Sequence, residues 1–343
     1  MREERDVAQA LAAYPLRVRG LERVSSGHIN LTFRVEADEG PFILQRLHPV
    51  FGPEVHVDIE AVTAHLAARG LTTPRLVRTR DGELWTPGPD GRPWRVLTCI
   101  PGRVVLAAES PARCAAAGAC LGRVHRALWD FEHPFAHRRV GVHDTLRHLA
   151  RLRAALAEHR DHRLFHEIEP LAAAILAAAE KLALPAELPL RVVHGDPKIS
   201  NFVFADDGSA RAMIDLDTFS RMALPLEIGD ALRSWCSPRG EESTEPVDID
   251  HFRAAIEGYA TAVGDLPTTL EREATPLATA LIAVELAARF CTDALEERYF
   301  AWDSSRFPSA TEHNLVRARA QLVFGHSVLS RLPALQEIVR AAW

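Results

Sequence analysis

The chain has 343 residues, 47% hydrophobic and 25% charged, with a formal net charge of -6. That composition excludes a disordered or fibrous chain and leaves length for one large bilobal domain or two cores. The acidic balance excludes a general affinity for nucleic acid, so any binding to phosphate must be local. Cys99, Cys114, Cys120, Cys236 and Cys291 are scattered and form no C-x-x-C pair, which excludes a disulfide frame or zinc site and points to reduced thiols in a cytoplasm.

The opening Met1-Arg2-Glu3-Glu4-Arg5-Asp6 is charged and leads into no signal-peptide core. Strand-like runs follow at Leu21 to Val35, Phe42 to Leu47, Arg75 to Arg80, Leu84-Trp85 and Trp94 to Ile100, separated by turn signals at Asp81-Gly82 and Pro89-Asp90-Gly91. One helical pattern, Val55 to Arg69, interrupts them and stops at Gly70. After Pro101-Gly102 the pattern turns helical: Ala107 to Leu128, His143 to His159, Leu164 to Leu182, Ile249 to Val263, Leu270 to Ala288 and Asn314 to Ala342. The expected class is α+β, with a β-rich lobe over residues 1–100 and a mainly helical lobe over 101–343, and a ligand cleft between them. Leu277 to Phe290, broken by Glu285 and Arg289, is too short to cross a bilayer, so no membrane partner is expected. Ser237 to Asp250 reads as an exposed loop, and His133, His137 and His143 as solvated loop histidines.

The only strand-rich part of the second half carries the chemistry. Val192-Val193 deliver His194-Gly195-Asp196, Lys198 follows two residues after the acid and Asn201 five after, and Met213-Ile214 deliver Asp215 and Asp217. Phosphoryl transfer from a magnesium nucleotide needs these groups in this order: one carboxylate to receive the proton of the attacking hydroxyl, then an amide oxygen and a separate carboxylate to hold the metal. The spacing matches the kinase loop H-R-D-L-x-x-x-N, with Gly195 at the arginine position and Asp215 at the acid of D-F-G.

These residues resemble the aminoglycoside phosphotransferase and choline kinase superfamily, whose loop reads H-G-D-x-x-x-x-N and whose metal acid ends a strand in I-D-x-[DE]. The resemblance implies a protein kinase-like bilobal fold, with ATP and Mg2+ as cofactors. Asp196 is then the base or orienter and Lys198 steadies the transferring group. Asn201 and Asp215 are the metal ligands, with Asp217 an accessory through water. In the first lobe, Ser25-Ser26-Gly27-His28-Ile29-Asn30 stands at the phosphate loop, and Ser26 and Gly27 are its nucleotide candidates. Gln45 aligns with the superfamily's phosphate cation. Arg46 beside it is the candidate on charge grounds, and only one of the two can face the cleft. Glu60 is the candidate to pair with that cation. Arg95 to Gly102 resembles the hinge, where Thr98 and Ile100 offer backbone groups to the adenine. Leu121 to Arg126 resembles the helix beneath the catalytic loop, with His125 structural. Pro225 to Arg233 resembles the segment in which an aspartate, here Asp230, begins a helix and bonds back to that loop.

The late segments Ala288-Arg289-Phe290-Cys291-Thr292-Asp293 to Phe300 and His313-Asn314-Leu315-Val316-Arg317 resemble the N-acetylhexosamine 1-kinase branch, as do Gly27-His28-Ile29-Asn30, Ile43-Leu44-Gln45-Arg46 and Ile214-Asp215-Leu216-Asp217-Thr218. The branch implies a sugar as small-molecule partner, met by His28, Asp196, Arg289 and Tyr299. Without that resemblance, Arg289 reads as the partner of Asp293 at i,i+4 on a helix surface. The alternatives are a kinase of the same fold for an aminoglycoside, choline, ethanolamine or homoserine, and a nucleotide-binding pseudokinase that serves as an interaction module.

Overall fold

The structure, a computed structural model, describes residues 2–24, 30–137 and 143–343. Helix α1 (Arg2–Ala12) leads into strands β1 (Val18–Val24), β2 (Leu31–Ala37) and β3 (Gly40–Arg46), then α2 (Val55–Ala68), then β4 (Leu76–Val77), β5 (Thr86–Pro87) and β6 (Pro93–Thr98). These strands form one antiparallel sheet in the order β1-β2-β3-β6-β4, with β5 on β6. Strand alternation gives the sheet two faces. Phe42 and Leu44 of β3 and Trp94 and Val96 of β6 point outward, where Val7, Ala10 and Tyr14 of the α1 segment cover them. Ile43 and Leu47 of the β3 segment and Leu97 of β6 point inward to the main core with Val55, Ile59 and Val62 of α2.

The second half holds α3 (Pro111–Leu128), α4 (Thr145–Glu158) and α5 (Phe165–Ala179). Strand β7 (Leu190–Val193) pairs with β10 (Ser220–Ala223), and β8 (Phe202–Phe204) with β9 (Ala210–Met213). Then come α6 (Leu224–Trp235), α7 (Ile249–Val263), α8 (Thr269–Glu296), α9 (Ala310–Ser330) and α10 (Leu332–Ala342). A sheet lobe followed by a helical lobe, joined beyond β6, is the protein kinase-like fold that the resemblance implied.

Several local expectations need correction. Helix α1 was not foreseen; it exists because the outer sheet face would otherwise expose Phe33, Leu44 and Trp94. The strand expected at Leu84-Trp85 lies at Thr86–Pro87. The run from Asn314 is two helices, broken at Arg331, because Pro333 has no N–H to continue α9 but suits the first turn of α10. Helix α8 runs 28 residues, opened by a capping box between Thr268 and Glu271. That length can cross a bilayer, but α8 is buried nearly throughout, as the core helix of a soluble protein is. The three histidines are not solvated: His133 bonds Asp58 at 2.7 Å, the His137 N–H bonds the same carboxylate at 2.7 Å, and His143 bonds Glu285 at 3.1 Å.

Candidate active site

Strand β7 ends at Val193 and hands the chain to a loop fixed from three sides. The Ile214 carbonyl can only accept, so His194 carries its proton on Nε2, 2.9 Å away, and takes the Asp196 N–H on Nδ1 at 3.4 Å. Gly195 has φ +85, and a Cβ there would lie 2.4 Å from the Thr218 carbonyl oxygen, so neither the kinase arginine nor any other side chain fits. Glu227 of α6, 1% exposed, accepts the N–H groups of His194 and Gly195, both at 2.9 Å. From the end of the same helix, Trp235 Nε1 donates to the Pro197 carbonyl at 3.0 Å and Ser234 Oγ accepts the Ile199 N–H at 3.2 Å.

On that frame Asp196 Oδ2 accepts from Lys198 Nζ at 2.7 Å and from Asn201 Nδ2 at 3.1 Å. Asn201 Nδ2 also donates to the Asp196 carbonyl at 2.8 Å. Its amide nitrogen is thereby committed, and its Oδ1 has no donor among the described residues. Burial alone would raise the Asp196 carboxyl, but Lys198, His194 and Asn201 outweigh it and hold the group below the usual range. Burial would depress the Lys198 ammonium, yet Asp196 and Asp215 hold it above its ordinary value.

The two acids after β9 sit differently. Asp215 takes the left-handed conformation, φ 63 and ψ 59, and its carboxylate receives no hydrogen bond or ion pair among the described residues. Burial first, then the negative charges of Asp217 and Asp196, push its carboxyl up. Asp217 is 1% exposed, and its oxygens accept from Arg95 Nη1 and Nη2 at 2.5 and 2.8 Å and from Asn30 Nδ2 at 2.7 Å. Burial would raise this carboxyl too, but Arg95 outweighs it. The expected accessory metal ligand thus has its oxygens occupied, whereas those of Asp215 are open.

In the sheet lobe, register decides between Gln45 and Arg46. Gln45 pairs with Arg95 across β3 and β6 on the inner face, and its Oε1 accepts from Arg95 Nε at 3.0 Å and Nη2 at 2.8 Å. Arg46 shares the outer face with Leu44. Its guanidinium lies 5.7 Å from the Trp94 ring centre and 3.6 Å from Asp90. Arg46 as the cleft cation is therefore corrected, and so is its pairing with Glu60, which meets Arg78 at 3.4 Å and Arg75 at 3.7 Å. His56 of α2 is no substitute cation, because burial and then the Arg95 charge lower its imidazole to about 4. At the hinge, Thr98 Oγ1 accepts the Arg75 N–H at 2.9 Å, and the Ile100 N–H has no acceptor among the described residues. Ser26, Gly27 and His28 lie outside the described residues.

Beyond the catalytic loop, α6 carries Asp230, and α8 carries Glu285, Arg289 and Asp293. Asp230 does not begin α6, which starts six residues earlier at Leu224, after an extended Ala223. It sits mid-helix, paired with Arg233 at 3.0 Å. On α8, Glu285 accepts from Thr145 Oγ1 at 2.6 Å and holds His143. Burial would lower the His143 imidazole, but Glu285, then Asp230, raise it against the charge of Arg289. Asp230 also helps to hold the Lys198 ammonium up, after Asp196 and Asp215. Arg289 is not the partner of Asp293, which instead accepts the N–H groups of Arg298, Tyr299 and Phe300 at 2.8, 2.8 and 2.9 Å, and Asn314 Nδ2 at 3.0 Å. Among the described residues Arg289 has no ion pair. Its guanidinium lies 5.7 and 5.6 Å from the ring centres of Tyr299 and Phe300.

The phosphotransferase enzyme family (APH) matches residues 20–262, from β1 through α7, which includes every element that positions Asp196, Asn201 and Asp215. The chain belongs to that family. This phosphotransferase is accordingly an enzyme that transfers phosphate to a hydroxyl group. It is 28% identical over 277 residues to a homoserine kinase of Rhodopseudomonas palustris (strain HaA2), 79% of each chain. It is 30% identical over 261 residues to one of Methylocella silvestris, 75% of this chain and 76% of that one. Among solved structures it is similar to the amicoumacin kinase hAmiN in complex with AMP-PNP, Ca2+ and Ami, with TM-score 0.64, 16% identity, and 94% and 93% of the two chains covered. It is also similar to a microcompartment-associated aminopropanol kinase, with TM-score 0.63, 16% identity, and 95% and 97% covered.

Two residues that shape the phosphotransferase site were missed in the sequence. Glu227, and not Asp230, is the acid that reaches back to the catalytic loop, and nothing in Pro225-Leu226-Glu227 marks it as buried. Arg95 carried a legible signal: in Trp94-Arg95-Val96 the alternation sends Arg95 to the face opposite Trp94.

Proposed function

We propose that this phosphotransferase moves the γ-phosphoryl group of ATP, with Mg2+, to the anomeric hydroxyl of an N-acetylhexosamine or a closely related sugar. Residues 1–100 form the nucleotide lobe, with Thr98 and Ile100 at its hinge and Ser26 and Gly27 as further nucleotide candidates, and 101–343 the catalytic and acceptor lobe. Asp196 accepts the proton of the attacking hydroxyl on the carboxylate oxygen that Lys198 and Asn201 leave free. Lys198 steadies the charge that develops on the transferring group. Asn201 Oδ1 and Asp215 suit a hard divalent cation: one open amide oxygen, and one carboxylate that no donor bonds among the described residues and that Asp217 and Asp196 surround with negative charge against the pull of Lys198. A metal held there neutralises phosphate charge. With its cysteines unpaired, we place the enzyme in the cytoplasm.

The observation that carries the sugar is Arg289, a cation without an ion pair among the described residues, beside the rings of Tyr299 and Phe300. Donors beside an aromatic wall suit a neutral, hydroxyl-rich ring. The acids of this face are already engaged, Asp230 by Arg233, Glu285 by His143 and Thr145, and Asp293 by backbone N–H groups. A polycationic aminoglycoside or choline would find no unpaired carboxylate among these three. Homoserine is the second reading, favoured by the homoserine kinases the chain resembles and by a fit of its carboxylate to Arg289. Magnesium-dependent ATP consumption with N-acetylglucosamine, N-acetylgalactosamine, galactose and L-homoserine decides: sugar-dependent turnover that yields a 1-phosphate supports the first reading, and turnover with homoserine alone replaces it.

A further inference from the structure

Asp217 lies two residues beyond the open carboxylate of Asp215 and is fastened to the other lobe. Arg95 of β6 and Asn30, just before β2, hold it, and Arg95 and Asp217 are each 1% exposed. Gln45 braces the guanidinium from β3, so four of its five N–H groups are used: Nε and one on Nη2 by Gln45, one on Nη1 and the other on Nη2 by Asp217. Asn30 Oδ1 in turn accepts the His48 N–H at 2.9 Å. In protein kinases a β3 lysine, paired with a glutamate of a helix in the same lobe, reaches the nucleotide phosphates. Neither partner of that pair is in place here, because the inner position of β3 is Gln45, Arg46 is on the outer face and Glu60 bonds Arg75 and Arg78.

We propose that Arg95 is a positioning residue, and that its pair with Asp217 is a clasp between the sheet lobe and the catalytic segment. The clasp keeps Asp217 off the metal and fixes the backbone so that Asp215 alone turns into the site. The conformation of Asp215 supports this. A left-handed aspartate is strained and persists only where its surroundings over-determine it. On one side Asp215 follows β9; on the other, Leu216 is buried and Asp217 is locked by its bonds across the lobes. Arg95 is no direct phosphate ligand, because four of its five donors are occupied within the protein and the side chain is buried. A lysine in its place would keep the charge and lose the bidentate geometry.

The proposal rests on Asp196, Asn201 and Asp215 as the transfer set, and its test uses whichever member of the sugar and L-homoserine panel supports turnover. Magnesium-dependent ATP turnover is measured with and without acceptor for Arg95→Lys, Asp217→Asn, the double variant and Asp215→Asn, with the melting temperature of each. Each single clasp variant should lower kcat on the order of ten- to a hundredfold and raise the half-saturating Mg2+ concentration, with KM for ATP within about threefold. The double variant should lose no more than the worse single one, because both break one device. Losses that multiply in the double variant overturn the clasp, as does Arg95→Lys that raises KM for ATP at unchanged kcat. Should Arg95→Lys fail to fold, Asp217→Asn carries the test with Asn30→Ala as the second arm, and additive losses again overturn it. Wild-type turnover in Asp215→Asn removes the transfer-set reading instead, and the clasp with it.

Discussion

Glu227 holds Gly195 by its backbone, with Oε2 accepting the N–H at 2.9 Å while Oε1 accepts that of His194. One buried carboxylate therefore sets the path of the chain immediately before Asp196. Glu227→Gln keeps the shape but turns an NH2 toward one of two N–H donors. Leaving a buried donor unsatisfied costs about 1–3 kcal/mol, which calorimetry should show as a melting temperature lower by roughly 1–4 °C. The kcat should fall with it; unchanged kcat would separate Glu227 from the catalytic loop.

Asp196→Asn should abolish turnover and leave nucleotide binding nearly intact, since it removes a proton acceptor and little volume. Removal of a general base typically lowers the rate ~10²–10⁴-fold. Turnover kinetics beside nucleotide titration calorimetry check it, and activity close to the parent would exclude Asp196 as the base.

Asp215→Asn should do opposite things to activity and to stability. It removes a carboxylate that burial, Asp217 and Asp196 all disfavour as an anion, so the metal-free protein should melt about 1–3 °C higher. Its magnesium response should meanwhile weaken. A lower melting temperature would mean that the attraction of Lys198 outweighs burial and the neighbouring acids.

Arg289→Ala should lower kcat/KM for the acceptor by roughly ten- to a hundredfold, because charge-assisted hydrogen bonds in a partly dry site contribute about 1.5–3 kcal/mol. The ATP affinity should hold. Weaker ATP binding with intact acceptor kinetics would move Arg289 to the nucleotide side.

Stability should narrow from both ends of the pH scale. Burial would raise Glu227, but His125 and the N–H bonds hold it below its ordinary 4.5; the stability it contributes is complete above that value and is lost as pH falls through its folded pKa. His143 has the opposite sign. Despite burial, Glu285 raises it above 6.5, so its contribution is complete below that value and is lost as pH rises through the higher folded pKa. Melting temperatures measured from pH 3 to 9 in Glu285→Gln should lack the alkaline decline.

The catalytic loop was legible in the sequence because its chemistry is local. Asp196, Lys198 and Asn201 lie within six residues, on a loop between short strands, and one loop turn brings their side chains within hydrogen-bond distance. The bilobal plan was legible for a similar reason, since periodicity changes from strand to helix after β6. The sequence could not rank Gln45 against Arg46, nor find the acid that binds the loop from behind. Those answers depend on contacts across 122 residues between Arg95 and Asp217, and across 32 between Gly195 and Glu227. Whether a buried charge is a ligand, a brace or a counter-ion depends on which face of its strand or helix it occupies and on what that face meets. Burial makes an unpaired charge so costly that tertiary packing has to supply its partner from wherever in the chain one can reach.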